Sequence, residues 1–310
     1  MSFQPPYRGR FAPSPSGPLH FGSLIAATGS YLQAKHQQGE WLIRIDDIDP
    51  PRIQKGASDH ILKTLEGFGF EWDADVLYQS TRRKRYQEAI DYLLEEKKAY
   101  FCSCSRKSIL KKTGRLKEQG EIVYPDFCRN KELFVKSENA SDYSVRLRCD
   151  DEASSFMDSL QGKQFFNLKQ DIGDFIIKRR DDYFAYHLAS GIDDAEQNIS
   201  EVVRGADLLS CTPCHLHVQQ MLNLESPQYS HLPIALNETG QKLSKQTHAE
   251  PINPNDYAFL LYNALKFLGQ VPPINLIEST KKDIWNWAKK NWQLDLVPKK
   301  LQITTNWNSV

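Results

Sequence analysis

The chain has 310 residues, of which 40% are hydrophobic and 25% are charged, a balance typical of a globular protein rather than a disordered or fibrous one. Its 39 basic and 39 acidic side chains give a formal net charge of zero, which argues against broad non-specific nucleic-acid binding but leaves a local basic patch open. No run of about 18 apolar residues predicts a membrane span and no apolar segment near the N-terminus predicts a secretory signal, so the six cysteines are expected to be thiols in a cytoplasmic protein.

The first predicted elements meet in residues 10–23, RFAPSPSGPLHFGS. Residues 10–12 are expected to end a short strand, because the prolines that follow lack the N–H donor of a sheet ladder. Apolar residues at helical spacing begin at Leu19, so we predict a helix that starts near Gly17–Pro18. The segment is therefore predicted to be a strand, a tight turn and the N-terminus of a helix.

Such a turn directs backbone N–H groups and the positive end of the helix dipole towards one point, where an anion can bind. His20 can donate a hydrogen bond to a phosphate there, and Gly22 allows a ligand to approach the backbone closely. The pattern matches neither of the two commonest nucleotide-binding fingerprints. A plain structural turn is thus the alternative to a phosphate site.

The next segments alternate strand and helix. An apolar run at 41–45 predicts a strand, and apolar faces within 61–68 and 86–94 predict two helices. This order predicts an α/β fold with a parallel sheet, in which ligands bind beyond the carboxyl ends of the strands. Residues 10–14 and the acidic group Asp46, Asp47 and Asp49 are therefore expected in one crevice, where the carboxylates either bind Mg²⁺ or cap the next helix.

Cysteines cluster in the part of the chain from residue 99 to 142. Cys102, Cys104 and Cys128 can supply three zinc ligands, and on general grounds Asp126 is the obvious fourth; unremarkable thiols are the alternative. A rival group is Cys211, Cys214, His215 and His217, but the surrounding apolar residues predict an ordinary helix there.

The second half is expected to resume the α/β pattern. Strands are predicted at 143–148 and 175–177, and another strand is predicted to end in the loop at 200–208. A lysine-bearing loop, KLSKQ at 242–246, follows Gly240, and apolar faces within 257–268 and 284–292 predict two final helices.

These segments resemble the class I aminoacyl-tRNA synthetases of the glutamyl branch. PSPSGPLHFG at 13–22 is similar to their HIGH-type signature, RIDDIDPP at 44–51 to their acidic amino-acid-binding segment, and KLSKQ to their KMSKS-type loop. The resemblance implies a Rossmann-type parallel sheet that binds ATP with Mg²⁺ and L-glutamate. The implied residues are His20, Gly22 and Lys245 for catalysis, His20, Gly22, Lys242, Ser244 and Lys245 for ATP, and Arg10, Phe11, Ala12, Pro13, Ser14, Asp46, Tyr186 and Arg204 for glutamate.

The resemblance adds two details. Asp46 stands where these enzymes usually carry glutamate, so that a contact with the substrate amino group through one water is the alternative to a direct one. The zinc site of the short glutamyl-type enzymes has a tyrosine oxygen as fourth ligand, which implies the set Cys102, Cys104, Tyr124 and Cys128 here. Zinc would then have to lower the pKa of the tyrosine.

The expected organisation is a first Rossmann half at 1–98, a zinc-bearing insertion at 99–142, a second half at 143–240 and the loop with a helical C-terminal region at 241–310. Only about sixty residues follow the loop, which leads us to expect no anticodon-binding domain. The chain is therefore most similar to the shortened glutamyl-queuosine tRNA(Asp) branch, which implies a monomer that uses ATP, L-glutamate and queuosine-containing tRNA(Asp). Ordinary 3′-end aminoacylation and a catalytically silent tRNA-binding protein are the alternatives.

Overall fold

The structure is a computed structural model that describes residues 6–113, 123–131, 142–241 and 250–305. The strands are β1 (Arg8–Phe11), β2 (Glu40–Ile45), β3 (Leu77–Tyr78), β4 (Ala99–Cys102), β5 (Ser144–Leu147), β6 (Ser154–Asp158), β7 (Gly162–Phe166), β8 (Ile176–Lys178), β9 (Glu201–Gly205), β10 (Gln228–Leu232), β11 (Ile234–Leu236) and β12 (Gln302–Thr304). The helices are α1 (Phe21–His36), α2 (Ala57–Phe68), α3 (Arg83–Glu95), α4 (Arg106–Thr113), α5 (Leu168–Asp171), α6 (Tyr186–Glu196), α7 (Thr212–Met221), α8 (Tyr257–Phe267) and α9 (Lys281–Asn291). Among these helices none is long and apolar enough to cross a lipid bilayer.

The expected parallel sheet is present. Strand β2 pairs in parallel with both β1 and β3, and β9 pairs in parallel with β10. The two groups meet where β9 lies beside β1, and the Ser200 N–H donates to the Arg8 carbonyl across this junction (2.9 Å). The strand order is therefore β3-β2-β1-β9-β10, and the carboxyl ends of all five strands face one edge.

Along the chain, between β3 and β9 and thus between the two halves of the parallel sheet, lie the strands of a second, antiparallel sheet. It has the order β4-β5-β8, with Ala99 opposite Leu147 and Val145 opposite Lys178. The strands predicted at 143–148 and 175–177 exist, but the expectation that they resume the parallel sheet is wrong. The boundary expected at residue 143 therefore does not coincide with the sheets, since the parallel sheet resumes only at β9. The sequence pattern of a short strand indicates its buried face and not its partner.

A hairpin, β6–β7, lies against the far edge of the parallel sheet. Its two strands are antiparallel, and β6 joins β10 through the pair Asp158–Tyr229. Because residues alternate in direction along a strand, Phe156 and Phe166 share one face of the hairpin, and their rings lie 6.2 Å apart. That face is turned towards the cavity that is described below.

Helix α1 packs on the sheet at very short range. A Cβ atom on Gly29 would lie 2.6 Å from Leu232 Cδ1, so this glycine is needed for the close approach of α1 to β10. The helix begins at Phe21, with His20 as its N-cap, a few residues later than the start expected near Gly17–Pro18. The prolines belong to the turn, because the N-cap hydrogen bond forms only at His20.

The helical C-terminal region is also present, and it packs against the first half of the chain. Trp285 on α9 donates from Nε1 to the Phe68 carbonyl (3.0 Å). The centroid of its ring lies 4.9 Å from that of Tyr31 and 4.8 Å from that of Phe70. Trp292 donates in the same way to Gln33 Oε1 (2.9 Å). The last helix therefore completes the core beneath α1.

We expect Trp285→Ala to lower the free energy of unfolding by about 3–5 kcal/mol, because it leaves a cavity among packed aromatic rings. Asn286→Ala, at the exposed neighbouring position, should change it by no more than about 0.5 kcal/mol. Urea unfolding followed by far-ultraviolet circular dichroism measures both. Equal midpoints for the two variants would show that α9 does not stabilise the core.

Candidate active site

The carboxyl edge of the parallel sheet carries two adjoining cavities. One has a volume of about 420 Å³ and is lined by the turn after β1, the start of α1, the end of β9 and the residues after β10. The other, of about 260 Å³, is lined by Ser14, Asp46 and residues 184–187. Ser14 and Tyr186 line both cavities, so the two volumes form one crevice at the edge where ligands of parallel sheets bind.

Most of the residues predicted for substrate binding lie around this crevice. They are Arg10, Phe11, Ala12, Pro13, Ser14, His20, Gly22, Tyr186 and Arg204 around the larger cavity, with Asp46 on the smaller one. Lys242, Ser244 and Lys245 lie outside the described residues.

The N-terminus of α1 faces the larger cavity. His20 Nδ1 accepts a hydrogen bond from the Ser23 N–H (3.2 Å), so a neutral His20 ring carries its proton on Nε2. The first turn of α1 contains no acidic residue that would neutralise the helix dipole. This end of the helix therefore has the charge and the donors that an anion requires.

A buried ion network supports the floor of the crevice. Arg10 on β1 and Arg44 on β2 both donate to Asp194 on α6, at 3.0 and 2.6 Å, and Arg44 Nε also donates to Asp46 Oδ1 (2.7 Å). Burial disfavours the charged form of Asp194, but the charges of Arg10 and Arg44 hold its pKa below the usual range. Three secondary-structure elements are joined by this network.

Asp46 is the exception within that network. Burial raises its pKa to about 6, even though Arg44 stabilises the carboxylate. The side chain lines the smaller cavity, where a ligand cation would compensate the cost of burial. Its charge is therefore expected to change within the physiological pH range.

Arg204, at the end of β9, is a buried cation whose hydrogen-bond acceptors are neutral. Its Nε donates to His231 (3.0 Å) and its Nη2 to Thr212 Oγ1 (2.8 Å) and the Leu208 carbonyl (3.1 Å). Its Nη1 contacts the Tyr186 hydroxyl at 3.3 Å and His215 Nδ1 at 3.2 Å. A bidentate carboxylate, as the resemblance implies, would have to replace some of these bonds, and the long bond to Tyr186 is the weakest.

The orientation of Arg204 depends on a chain of buried groups. Asp158 Oδ2 lies 2.6 Å from His231 Nδ1, and the opposite ring nitrogen of His231 accepts from Arg204. Burial, together with the nearby Arg204 charge, lowers the pKa of His231, so the ring is neutral with its proton on Nδ1. Asp158 thereby connects the β6–β7 hairpin to the candidate site.

Sequence reasoning missed several of these supporting residues: Arg44, Asp158, Asp194, Thr212, His215 and His231. Two of them carry a signal in the sequence. Arg44 interrupts an otherwise apolar strand, and Asp194 ends an apolar stretch of a helix, where an unpaired charge would be costly. The partners of these charges come from distant segments, which periodicity does not reveal.

The three predicted cysteine ligands converge. The sulfur atoms of Cys102, Cys104 and Cys128 lie within 4.8 Å of one another, the only such group of three or more His, Cys, Asp or Glu residues in the described chain. The Tyr124 hydroxyl lies 3.3 Å from Cys102 Sγ and 3.7 Å from Cys104 Sγ. A tetrahedral zinc ion with Zn–S bonds of about 2.3 Å holds its ligands roughly 3.7 Å apart.

The donor set therefore suits a tetrahedral metal ion. Burial raises the pKa of the Tyr124 hydroxyl, so that zinc would have to supply the charge that ionises it. Asp126, the other possible fourth ligand, instead forms an ion pair with Lys169 (2.5 Å). In the rival group His215 contacts Arg204, and His217 Nε2 lies 2.6 Å from the Arg148 carbonyl oxygen.

Comparison with known proteins agrees with this geometry. Residues 7–270 match the family model described as tRNA synthetases class I (E and Q), catalytic domain. The chain belongs to this family. The match includes the turn at α1, both halves of the parallel sheet and the cysteine group.

Similar proteins and structures share almost the entire chain. It is 48% identical over 294 residues to the glutamyl-Q tRNA(Asp) synthetase of Dechloromonas aromatica, covering 95% of this chain and 96% of that protein. Identity to the protein of the same name from Photobacterium profundum is 47%, over 96% and 92% of the two chains. A glutamate tRNA ligase from Elizabethkingia meningosepticum, solved with its amino acid, superposes with a TM-score of 0.77 at 25% identity, and the match covers 96% of this chain but 66% of that one.

We expect the purified protein to contain one zinc ion per chain, and Cys128→Ser to lose it because one of four ligands is removed. Cys211→Ser, in the rival group, should retain it. Metal analysis by mass spectrometry measures the stoichiometry of each protein. Retention of zinc by Cys128→Ser together with its loss from Cys211→Ser would place the metal in the rival group.

Proposed function

We propose that this protein activates L-glutamate with ATP and transfers the glutamyl group to the queuosine base of tRNA(Asp). The observation that carries the proposal is a helix N-terminus suited to phosphate beside a buried arginine that has only neutral partners. That pair of features matches a substrate set of ATP and an amino acid with a second carboxylate. The acceptor in this proposal, the queuosine base of tRNA(Asp), is taken from the names of the similar proteins.

Glutamate binding is assigned to the smaller cavity and the adjoining end of β9. Arg204 and Tyr186 face the side-chain carboxylate, which takes over the Nη1 donor that now contacts the Tyr186 hydroxyl. Asp46 faces the α-ammonium group, directly or through one water. Arg10, held by Asp194, helps to position the amino acid from the wall of the larger cavity.

ATP binding is assigned to the turn at residues 13–22. The α1 N-terminus and His20 Nε2 bind phosphate oxygens, and Gly22 allows the nucleotide to approach the backbone closely. The magnesium ion that accompanies ATP neutralises phosphate charge. Lys245, outside the described residues, is proposed to stabilise the negative charge that develops on the α-phosphate.

The proposed reaction has two steps. An oxygen of the glutamate α-carboxylate attacks the α-phosphorus, and the bond to pyrophosphate breaks with its electron pair leaving on pyrophosphate. The acceptor group on the base then attacks the carbonyl carbon of the adenylate. AMP leaves with the electrons of the broken C–O bond, and the acceptor releases its proton.

The decisive experiment compares transfer of labelled glutamate to tRNA(Asp) with and without queuosine. We expect label only on the queuosine form. Equal labelling of both forms would contradict the proposal and favour ordinary 3′-end aminoacylation, which attaches glutamate to the terminal ribose. Absence of glutamate-dependent ATP–pyrophosphate exchange would instead favour a silent tRNA-binding protein.

Asp46 provides a pH test of amino-acid binding. Its pKa of about 6 means that the carboxylate is present above pH 6 and lost as the pH falls through that value. The KM for glutamate in pyrophosphate exchange should therefore rise about tenfold per pH unit below 6.

Asp46→Asn should show a KM raised about tenfold or more at neutral pH, because a charge-assisted contact is lost, and little dependence on pH. Asp47→Asn is the control, since Asp47 accepts hydrogen bonds from Ser80 outside both cavities. A wild-type pH profile in Asp46→Asn would exclude this carboxylate from binding the ammonium group.

A further inference from the structure

A further cavity, larger than the two that form the crevice, lies outside it. Its volume is about 860 Å³, and its walls come from the inner face of the β6–β7 hairpin, the cysteine group and residues 209–214. Phe156, Phe166 and Phe175 line it, so much of the wall is aromatic. The two small-molecule substrates are already assigned to other volumes.

One residue joins this cavity to the crevice. His187 lines both the 860 Å³ cavity and the 260 Å³ cavity that contains Asp46. Its Nδ1 has no hydrogen-bond partner among the described residues. His187 therefore stands between the two cavities, and a group bound in the large cavity is separated from the glutamate pocket by this side chain.

The cavity also contains a buried cation. Arg146 is only 7% exposed, and no carboxylate lies within ion-pairing distance of it in the described chain. Its Nη1 donates to the Asp174 carbonyl (2.6 Å), its guanidinium stacks on the Tyr124 ring at 3.7 Å, and its Nε has no partner. The stacked ring offsets part of the cost of burying this charge, and Arg146 is thereby held as a fixed cation in the cavity wall.

We propose that this cavity binds the acceptor nucleotide of the RNA substrate, with its base on the phenylalanine wall and its phosphate towards Arg146. Bases of unpaired RNA stack on aromatic side chains, and phosphates bind arginine. The nucleotide thereby lies across His187 from the activated glutamate. The inference rests on the proposed function and adds to it the place where the acceptor nucleotide binds.

A steric block tests the location. Ser210 is exposed on the cavity wall and belongs to neither smaller cavity, so Ser210→Trp fills space that the nucleotide needs. Ser226, equally exposed before β10 at the opposite edge of the sheet, gives the matched control Ser226→Trp. Two activities are measured for each protein: glutamate-dependent ATP–pyrophosphate exchange without RNA, and transfer of labelled glutamate to queuosine-containing tRNA(Asp).

We expect Ser210→Trp to reduce transfer about tenfold or more, the scale of losing one stacked base, with exchange within about twofold of wild type. Ser226→Trp should retain both activities. Normal transfer by Ser210→Trp, or an equal loss of exchange and transfer, would overturn the inference. Absence of exchange in the wild-type protein would overturn the proposed function itself.

The charge is tested separately. Arg146→Met should raise the KM for tRNA about tenfold, and Arg146→Lys should restore most of the affinity because it keeps the positive charge. Metal content is measured in both variants, since Arg146 packs on Tyr124. Equal KM values for the Met and Lys variants at unchanged metal content would contradict a phosphate contact.

Discussion

The buried ion network of Arg10, Arg44, Asp46 and Asp194 is the interaction on which the site depends. It joins β1 and β2 of the first half of the sheet to α6, which follows the antiparallel insertion. Removing one member would leave an uncompensated charge in the interior, which typically costs about 3–5 kcal/mol. The same contacts that hold the halves together therefore fix the positions of Arg10 and Asp46 at the crevice.

A second chain of polar groups runs from Asp158 through His231 to Arg204. It orients the arginine that we propose to bind the glutamate side-chain carboxylate, as the ion network orients the Asp46 carboxylate that we propose to bind the ammonium group. Each member lies on a different strand, and each of the two histidine nitrogens has a defined role. Asp158 is on the hairpin that also forms a wall of the 860 Å³ cavity. The position of Arg204 is thus linked to the hairpin that we propose to contact the RNA.

The sequence predicted the elements better than their partners. Periodicity found α1, α2, α3, α8 and α9, and the alternating residues of β5 found that strand. It failed for the pairing of β5 and β8, because hydrophobic alternation is identical in parallel and antiparallel neighbours. It also placed the start of α1 too early, because the sequence does not distinguish a proline in the first turn of a helix from a proline in the turn that precedes the helix.

The sequence alone determined part of the chemistry available at the crevice, namely a turn with His20 and Gly22 and an acidic group after β2, whereas Arg204 was indicated only by the resemblance to the synthetase family. It also supplied the three cysteines, whose spacing would place the ligands of a metal ion on two separate segments. These features follow from local rules about turns, caps and strand ends, which act over a few residues.

Only the tertiary structure decided what those groups do to one another. The raised pKa of Asp46, the neutral partners of Arg204 and the contact of Tyr124 with Cys102 all arise between segments that are far apart in the chain. Burial and charge–charge interactions depend on distances across the fold, and residue spacing along the chain does not contain those distances. The large aromatic cavity is a property of the fold for the same reason, since its walls come from elements of the hairpin, the insertion and α7.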